Sequence, residues 1–322
     1  MAGRKIVKDG LIASGNCELM AVQSYPPLSA QEEGKRYNVP FFTRVGQMLD
    51  KVDCDAVYIA TPQFLHLAQV KLAAQHGKHI FCEKPLATNV RDAEEIVRIC
   101  KKAGVKLGTD FNYRFHPLHQ KMREMVKKDV IGEIVSGRGQ FGQDFPPKKG
   151  TFRQNAKQAG GGAFADTGNH AADLLEYVMG RRIKSVLGIK RNTIYPYKSE
   201  DSCAALLDFQ EGGFGIVDAY FCCPLRTLRN DVEINGTKGT LHTCNTLQMK
   251  TTGKLVVRTE KYTKVLKCPN RDMYAIIFEK FADAVLHGKK LPVTGEDGLH
   301  SQKVVDAIYR SSDTGRKITI WE

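Results

Sequence analysis

Ala56-Val57-Tyr58-Ile59-Ala60-Thr61-Pro62 and His79-Ile80-Phe81-Cys82-Glu83-Lys84-Pro85 are two largely apolar runs of strand length, each halted by a proline. Neither alternates polar with apolar positions, so each reads as a strand buried on both faces. Between them Leu65, Ala68, Leu72 and Ala73 form the stripe of an amphipathic helix. The same alternation extends outward. Upstream lie an apolar run, Leu19-Met20-Ala21-Val22, and a polar helix carrying Glu32, Glu33 and Lys35. Downstream, Ala93, Ile96, Val97 and Cys100 mark a further helix, and Val105-Lys106-Leu107-Gly108 a further strand. Short buried strands alternating with helices predict a parallel sheet covered on both faces. Residues 1–112 are therefore expected to form a Rossmann-like α/β domain.

Beyond this point the rhythm changes. A helix begins near Pro117, and Gly160-Gly161-Gly162 precedes a helix expected from Thr167 to Met179. Strand-like runs then follow one another at 183–194, 203–209, 214–220, 232–235 and 240–242, with turn residues and no helix between them. That order predicts an α+β domain over 113–322, built on an open, mostly antiparallel sheet. Such a sheet can bind substrate or a second subunit, which points to a homo-oligomer, dimer or tetramer. Two helices, near 273–286 and 298–311, finish the chain, and the last is expected to pack back on the first domain.

Composition narrows the class. At 322 residues the chain can bury two cores, and 42% hydrophobic with 26% charged residues is ordinary for a globular protein. No apolar run reaches the eighteen or so residues of a membrane span, and Met1-Ala2-Gly3-Arg4-Lys5 has no apolar core behind it, so neither membrane nor export is expected. The nine cysteines are odd in number and include no Cys-x-x-Cys pair, which favours free thiols in a reducing, cytoplasmic setting. The formal charge of +13 is spread along the chain without a nucleic-acid motif. It reads as a solvated basic surface that also attracts anionic ligands, not as a nucleic-acid face.

Ligands of open parallel sheets bind beyond the carboxyl ends of the strands. Thr61-Pro62, Glu83-Lys84-Pro85 and the segment from Asp110 to Arg114 fall there. Lys84, at the end of an apolar strand, is either a partly desolvated functional ammonium or a snorkelling lysine. Asp166, His170 and Asp173 stand at i, i+4 and i+7, which on a helix puts them on one face. Read alone they are a helix cap and a surface histidine; facing Lys84 across a cleft they are a catalytic set. The glycines before them would let a ligand approach the backbone. His116 and His119 lack a third ligand, so no metal site is expected. Tyr195, Tyr197 and Phe221 read as sheet packing.

Taken in order, Thr61-Pro62-x-x-x-His66, Glu83-Lys84-Pro85-Leu86-Ala87, Asn112-Tyr113-Arg114-Phe115, Gly160-Gly161-Gly162-x-x-x-Asp166-x-Gly168-x-His170-x-x-Asp173 and Pro292-Val293-Thr294-Gly295-Glu296-Asp297-Gly298 resemble the Gfo/Idh/MocA family. That family includes glucose–fructose oxidoreductase and inositol dehydrogenase. The resemblance implies hydride transfer between NAD or NADP and a secondary hydroxyl or carbonyl of a sugar or polyol. It implies catalytic roles for Lys84, Asp166 and His170, substrate contacts from Asp166 and Arg114, and cofactor contacts from Thr61, Pro62, His66, Glu83 and Lys84. A non-catalytic, ligand-sensing or scaffold relative is the alternative.

Two departures stand out. The fingerprint Gly-x-Gly-x-x-Gly/Ala and its strand should open such a domain, whereas Met1-Ala2-Gly3-Arg4-Lys5 resembles only its tail. The start is read as placed too late. As written, the chain is expected to bind dinucleotide weakly and to have the less stable domain first. Second, the strand end Ala21-Val22-Gln23-Ser24 lacks the carboxylate that binds the adenosine ribose. Ser24 leans toward NADP, with Arg4, Lys5 or Arg36 as phosphate partners.

Overall fold

The computed structural model describes residues 5–24 and 27–320. The chain's first half forms short parallel strands with helices between them. β1 (Val22–Gln23) pairs with β2 (Phe41–Phe42), and β3 (Ala56–Ile59), β4 (His79–Cys82) and β5 (Leu107–Thr109) form a second parallel sheet. α1 (Pro27–Tyr37), α2 (Val45–Lys51), α3 (His66–Gln75) and α4 (Val90–Ala103) connect them. Local signals set the ends of α4: the Asn89 side chain accepts from Asp92 N–H, and Gly104 closes the helix with φ of 68°. Ile59, Val70, Ala73, Ile80, Cys82, Ala93, Ile96 and Cys100 pack as one core. Each large side chain buried there contributes about 1.5–3 kcal/mol. Met1 to Arg4, where the glycine-turn reading falls, lie outside the described residues.

After β5 the chain crosses to the second half through Phe111, Tyr113 and Phe115, all buried, and then α5 (Pro117–Lys127). His116 caps α5 by accepting from Leu118 N–H, with Pro117 at the first helical position. A nine-stranded sheet follows, in the order β13-β12-β11-β10-β6-β9-β8-β7-β14. Its strands are β6 (Ile134–Gly142), β7 (Ile183–Arg191), β8 (Ser202–Phe209), β9 (Phe214–Tyr220), β10 (Asp231–Gly236), β11 (Gly239–Cys244), β12 (Lys254–Thr259), β13 (Thr263–Lys267) and β14 (Ile318–Thr319). Every pairing is antiparallel except β6 with β9.

α6 (Asn169–Met179) packs on one face of this sheet, and α7 (Met273–His287) lies against the N-terminal turns. The last helix, α8 (Gly295–Thr314), packs on both α4 and β7 and ties the two halves together. Thr109 Oγ1 donates to Thr294 O at 3.1 Å at that junction. The opposite sheet face leaves Val135, Leu187, Ile189, Leu206, Phe214 and Ile216 exposed.

Five strands were not anticipated: β2, β6, β12, β13 and β14. β6 is broken in pattern by Gly137, Gly139 and Gly142, yet two of these glycines sit where α6 comes closest: a Cβ there would meet Leu175, Met179 or Ala171 at 3.0 Å. β12 carries the buried run Leu255-Val256-Val257 and pairs on both sides, while β13 is the edge strand and carries Lys264 and Lys267. Tyr195 and Tyr197, expected in the sheet, lie in a loop instead. β7 ends at Arg191 because the Asp201 carboxylate collects the N–H groups of Thr193, Ile194 and Tyr195.

Candidate active site

Lys84 follows β4 directly, and the Lys84–Pro85 bond is cis. Its ammonium donates to Asp166 Oδ1 at 2.9 Å and to the Asp166 carbonyl at 2.6 Å. The first half of the chain thus meets the second at this ion pair. Asp166 lies on a π-helical turn, Phe164–Gly168, and α6 begins only at Asn169, later than the Thr167 start expected. The turn is held from behind. Glu200 accepts from Gly162 N–H at 2.7 Å, Phe164 N–H at 3.0 Å and Tyr309 O–H at 2.6 Å. The three glycines allow this packing. A Cβ on Gly160 would strike Thr88, on Gly161 the Tyr309 ring, and on Gly162 the Glu200 backbone.

His170, on the first turn of α6, is 7% exposed. Tyr113 stands edge-on to its ring at 4.8 Å, with Phe111 and Phe141 at 6.0 Å. Nδ1 is buried with no hydrogen-bond partner. Burial, reinforced by the charge of Lys84, holds the imidazole well below its usual titration range and therefore neutral. Burial alone would push the Asp166 carboxyl up, but Lys84 and Arg153 together outweigh it and keep it ionised far below the carboxylate range.

Behind Lys84 two carboxyl groups meet at one phenol. Tyr58 O–H lies 2.9 Å from Glu83 Oε1 and 3.2 Å from Asp110 Oδ2. Burial raises both acids, and for Asp110 the charge of Glu83 adds to the shift. Glu83 Oε2 also accepts the Lys84 N–H at 3.1 Å, which fixes the backbone from which the ammonium projects.

The remaining predicted residues divide. Thr61 and Pro62 form the turn after β3, and Thr61 Oγ1 donates to Gln69. His66 is 1% exposed, with Nε2 at 2.9 Å from Thr61 O and the Cys82 thiol at 3.4 Å from Nδ1. Nδ1 also lies 3.1 Å from Leu86 O, so the ring is pinned between two backbone carbonyls, and burial lowers its pKa. His66 thus shapes the turn from within. Ser24 ends β1, its hydroxyl 3.1 Å from that of Ser29. Lys5 donates to the Met249 carbonyl and Arg36 pairs with Glu33, while Arg4 lies outside the described residues.

Arg114 is not brought to the cluster. Its guanidinium grips Asp173 through two bonds, at 2.9 and 2.5 Å, and faces Asp297 at 3.6 Å. It lines a separate cavity of about 190 Å³ with Arg123, Tyr177 and Arg182. Asp173 is held at this pair by the two Arg114 bonds. His116 and His119 are engaged within the protein, His119 between Tyr113 O and Thr246 Oγ1. The site residue that sequence reading missed is Arg153. Its Nε donates to Asp166 Oδ2 at 3.2 Å, and it lines a narrow cleft with Gln63, Gly161, Gly162, Asp166 and Phe221. No spacing links Arg153 to Asp166, so only the fold reveals it.

A neutral imidazole, an ammonium and a carboxylate at the carboxyl edge of a parallel sheet form a donor set that fits an alcohol beside a nicotinamide. Fold and site together define a two-domain, Rossmann-type oxidoreductase. Residues 1–111 match the oxidoreductase family with an NAD-binding Rossmann fold, and residues 119–242 match the GFO/IDH/MocA C-terminal domain. The chain belongs to the Gfo/Idh/MocA family of oxidoreductases. It is 30% identical to dTDP-3,4-didehydro-2,6-dideoxy-alpha-D-glucose 3-reductase of Actinomadura kijaniata, over 81% of this chain and 77% of that one. It is 29% identical to 1,5-anhydro-D-fructose reductase of Ensifer adhaerens, over 86% and 83%. The fold also matches aldose-aldose oxidoreductase from Caulobacter crescentus, solved with glycerol, with a TM-score of 0.89 at 24% identity over 98% and 97% of the two chains. No helix among the described residues is long and apolar enough to cross a membrane.

Proposed function

We propose that this protein moves a hydride between NAD or NADP and a secondary hydroxyl or carbonyl of a sugar, polyol or related cyclic compound. The observation that carries the reading is the meeting of Lys84, Asp166 and His170 across the junction of the two halves. Thr61, Pro62, Glu83 and Ser24 would hold the cofactor, with His66 supporting the turn. The nicotinamide, when bound, supplies the hydride acceptor or donor.

The chain's own groups handle proton and charge. His170, neutral at pH 7, accepts the hydroxyl proton at Nε2, the less enclosed ring nitrogen. Lys84 Nζ offers positive charge to the oxygen as it becomes alkoxide-like, in a site where burial strengthens that attraction. Asp166 orients the ammonium and accepts a substrate hydroxyl hydrogen bond. A non-catalytic sensing or scaffold role has less support, because the relatives are named as reductases and dehydrogenases and the catalytic trio is complete.

The absence of a carboxylate at Ser24 favours NADP at least as much as NAD. A second copy of the chain covers the apolar sheet face of Leu187, Ile189, Leu206 and Ile216, giving a dimer or tetramer. The test of the catalytic reading is substitution. His170→Ala and Lys84→Ala should each lower turnover by roughly a hundredfold or more. His170→Ala should leave cofactor affinity nearly unchanged in a fluorescence titration. Near-normal turnover in either variant would remove that residue from the mechanism.

A further inference from the structure

Arg114 and Arg153 each pair with a carboxylate near α6, and they do so differently. Arg114 is buried and turns both prongs of its guanidinium onto Asp173. Arg153 uses Nε alone, on Asp166 Oδ2, and its side chain remains 37% exposed. Among the described residues, its two terminal nitrogens have no hydrogen-bond partner. Asp166 does not need Arg153 for neutralisation, because Lys84 already occupies Oδ1 at 2.9 Å.

Arg153 is nevertheless held in place. Its carbonyl accepts from Ser199 Oγ at 3.0 Å, its guanidinium lies 4.7 Å over the Phe152 ring, and neighbouring Gln154 is bonded to Phe145 O, Pro146 O and Lys148 N–H. A fixed guanidinium with two free nitrogens, lining the cleft beside Asp166, is a ready fork for an anionic group.

The surrounding charge points the same way. Two cations, Lys84 and Arg153, stand against the single carboxylate of Asp166, and of the two it is Arg153 that lines the cleft. Glu83 is turned inward onto Tyr58 and the Lys84 N–H. The rim segment 145–165 carries Lys148, Lys149 and Lys157, all exposed, with Arg153 and no acidic residue. A neutral sugar leaves this excess uncompensated, whereas an anionic one matches it and is drawn in by the field.

We propose that Arg153 recognises an anionic group on the substrate, so that the enzyme acts on acidic sugars or polyols. The group is a carboxylate, as in an aldonic or uronic acid, or a phosphate ester. The inference rests on the oxidoreductase reading above.

The experiment compares kcat/KM for matched neutral sugars, aldonates or uronates, and sugar phosphates, in the wild type and in Arg153→Met and Arg153→Lys, with nicotinamide reduction as readout. A charge-assisted fork predicts that the wild type prefers an anionic class by about tenfold to a hundredfold. The two anionic arms tell carboxylate from phosphate. Arg153→Met should erase the preference mainly through KM, and Arg153→Lys should restore part of it. Equal turnover of neutral and anionic substrates by the wild type would overturn the proposal. So would an equal loss for both classes in Arg153→Met, since Arg153 would then act only through Asp166. If no substrate of any class is turned over, the oxidoreductase reading fails, and anion recognition is judged by binding. An aldonate or sugar phosphate should then raise the melting temperature of the wild type but not of Arg153→Met. No such rise in the wild type would sink it.

Discussion

His170 illustrates how burial and charge act on one side chain. Its imidazole is enclosed by Tyr113, Phe111 and Phe141 and lies near the Lys84 cation, so the neutral form is favoured for two independent reasons. Neutral histidine is the form that accepts a proton. As pH falls, a histidine of ordinary pKa would become protonated and inactive near pH 6.5. With its pKa depressed, His170 should stay active below that point. The acid limb of kcat/KM against pH is therefore expected below the ordinary histidine value. Lys84→Met removes the cation that helps to lower it, and should move the limb upward in whatever activity remains. An acid limb at or above pH 7 in the wild type would contradict the assignment of His170 as base. The Tyr58, Glu83 and Asp110 group lies behind Lys84, and Glu83 positions it through the backbone.

At the scale of elements, Asp166 depends on a loop secured from a distance. Glu200, at the end of the loop before β8, accepts three hydrogen bonds that tie Gly162, Phe164 and Tyr309 together. Glu200→Ala removes the acceptor of Phe164 N–H and Tyr309 O–H, Gly162 N–H keeping only the longer bond to Tyr309 Oη, and should cost about 3 kcal/mol. Thermal unfolding should show the loss directly, and turnover should fall because Asp166 is no longer held. An unchanged melting temperature would show that the loop does not depend on Glu200. β3, β4 and β5 with α3 and α4 were legible because buried strands and amphipathic helices leave continuous or periodic apolar patterns, whereas the two-residue β2 and the short α2 are too brief to leave one. Lys84, Asp166 and His170 were legible as residues, through motif spacing. β6 was not, because its glycines hide the strand until α6 is seen packed on them. Nor were Arg153 and Glu200, whose partners lie 13 and 36–38 residues away with no intervening pattern.

At the scale of the molecule, the two halves are joined by the Lys84–Asp166 ion pair, the buried crossing at Phe111 to Phe115, and α8 lying on both. The sheet's outer face remains apolar, with Ile189 57% and Leu187 44% exposed. Such a patch on a surface of net charge +13 is expected to be covered by a second copy. Ile189→Glu should lower the mass measured by light scattering to that of a single chain, and a wild type already monomeric would contradict that expectation. The central claim is that the junction oxidises or reduces a CH–OH group with a nicotinamide. The most direct measurement is nicotinamide reduction by the full-length protein, with NAD or NADP, across neutral and acidic sugars and polyols, with His170→Ala as control. Turnover that uses NADP at least as well as NAD and collapses in His170→Ala is the predicted result. Absence of reduction with every substrate in both cofactors, or turnover that survives intact in His170→Ala, would contradict it.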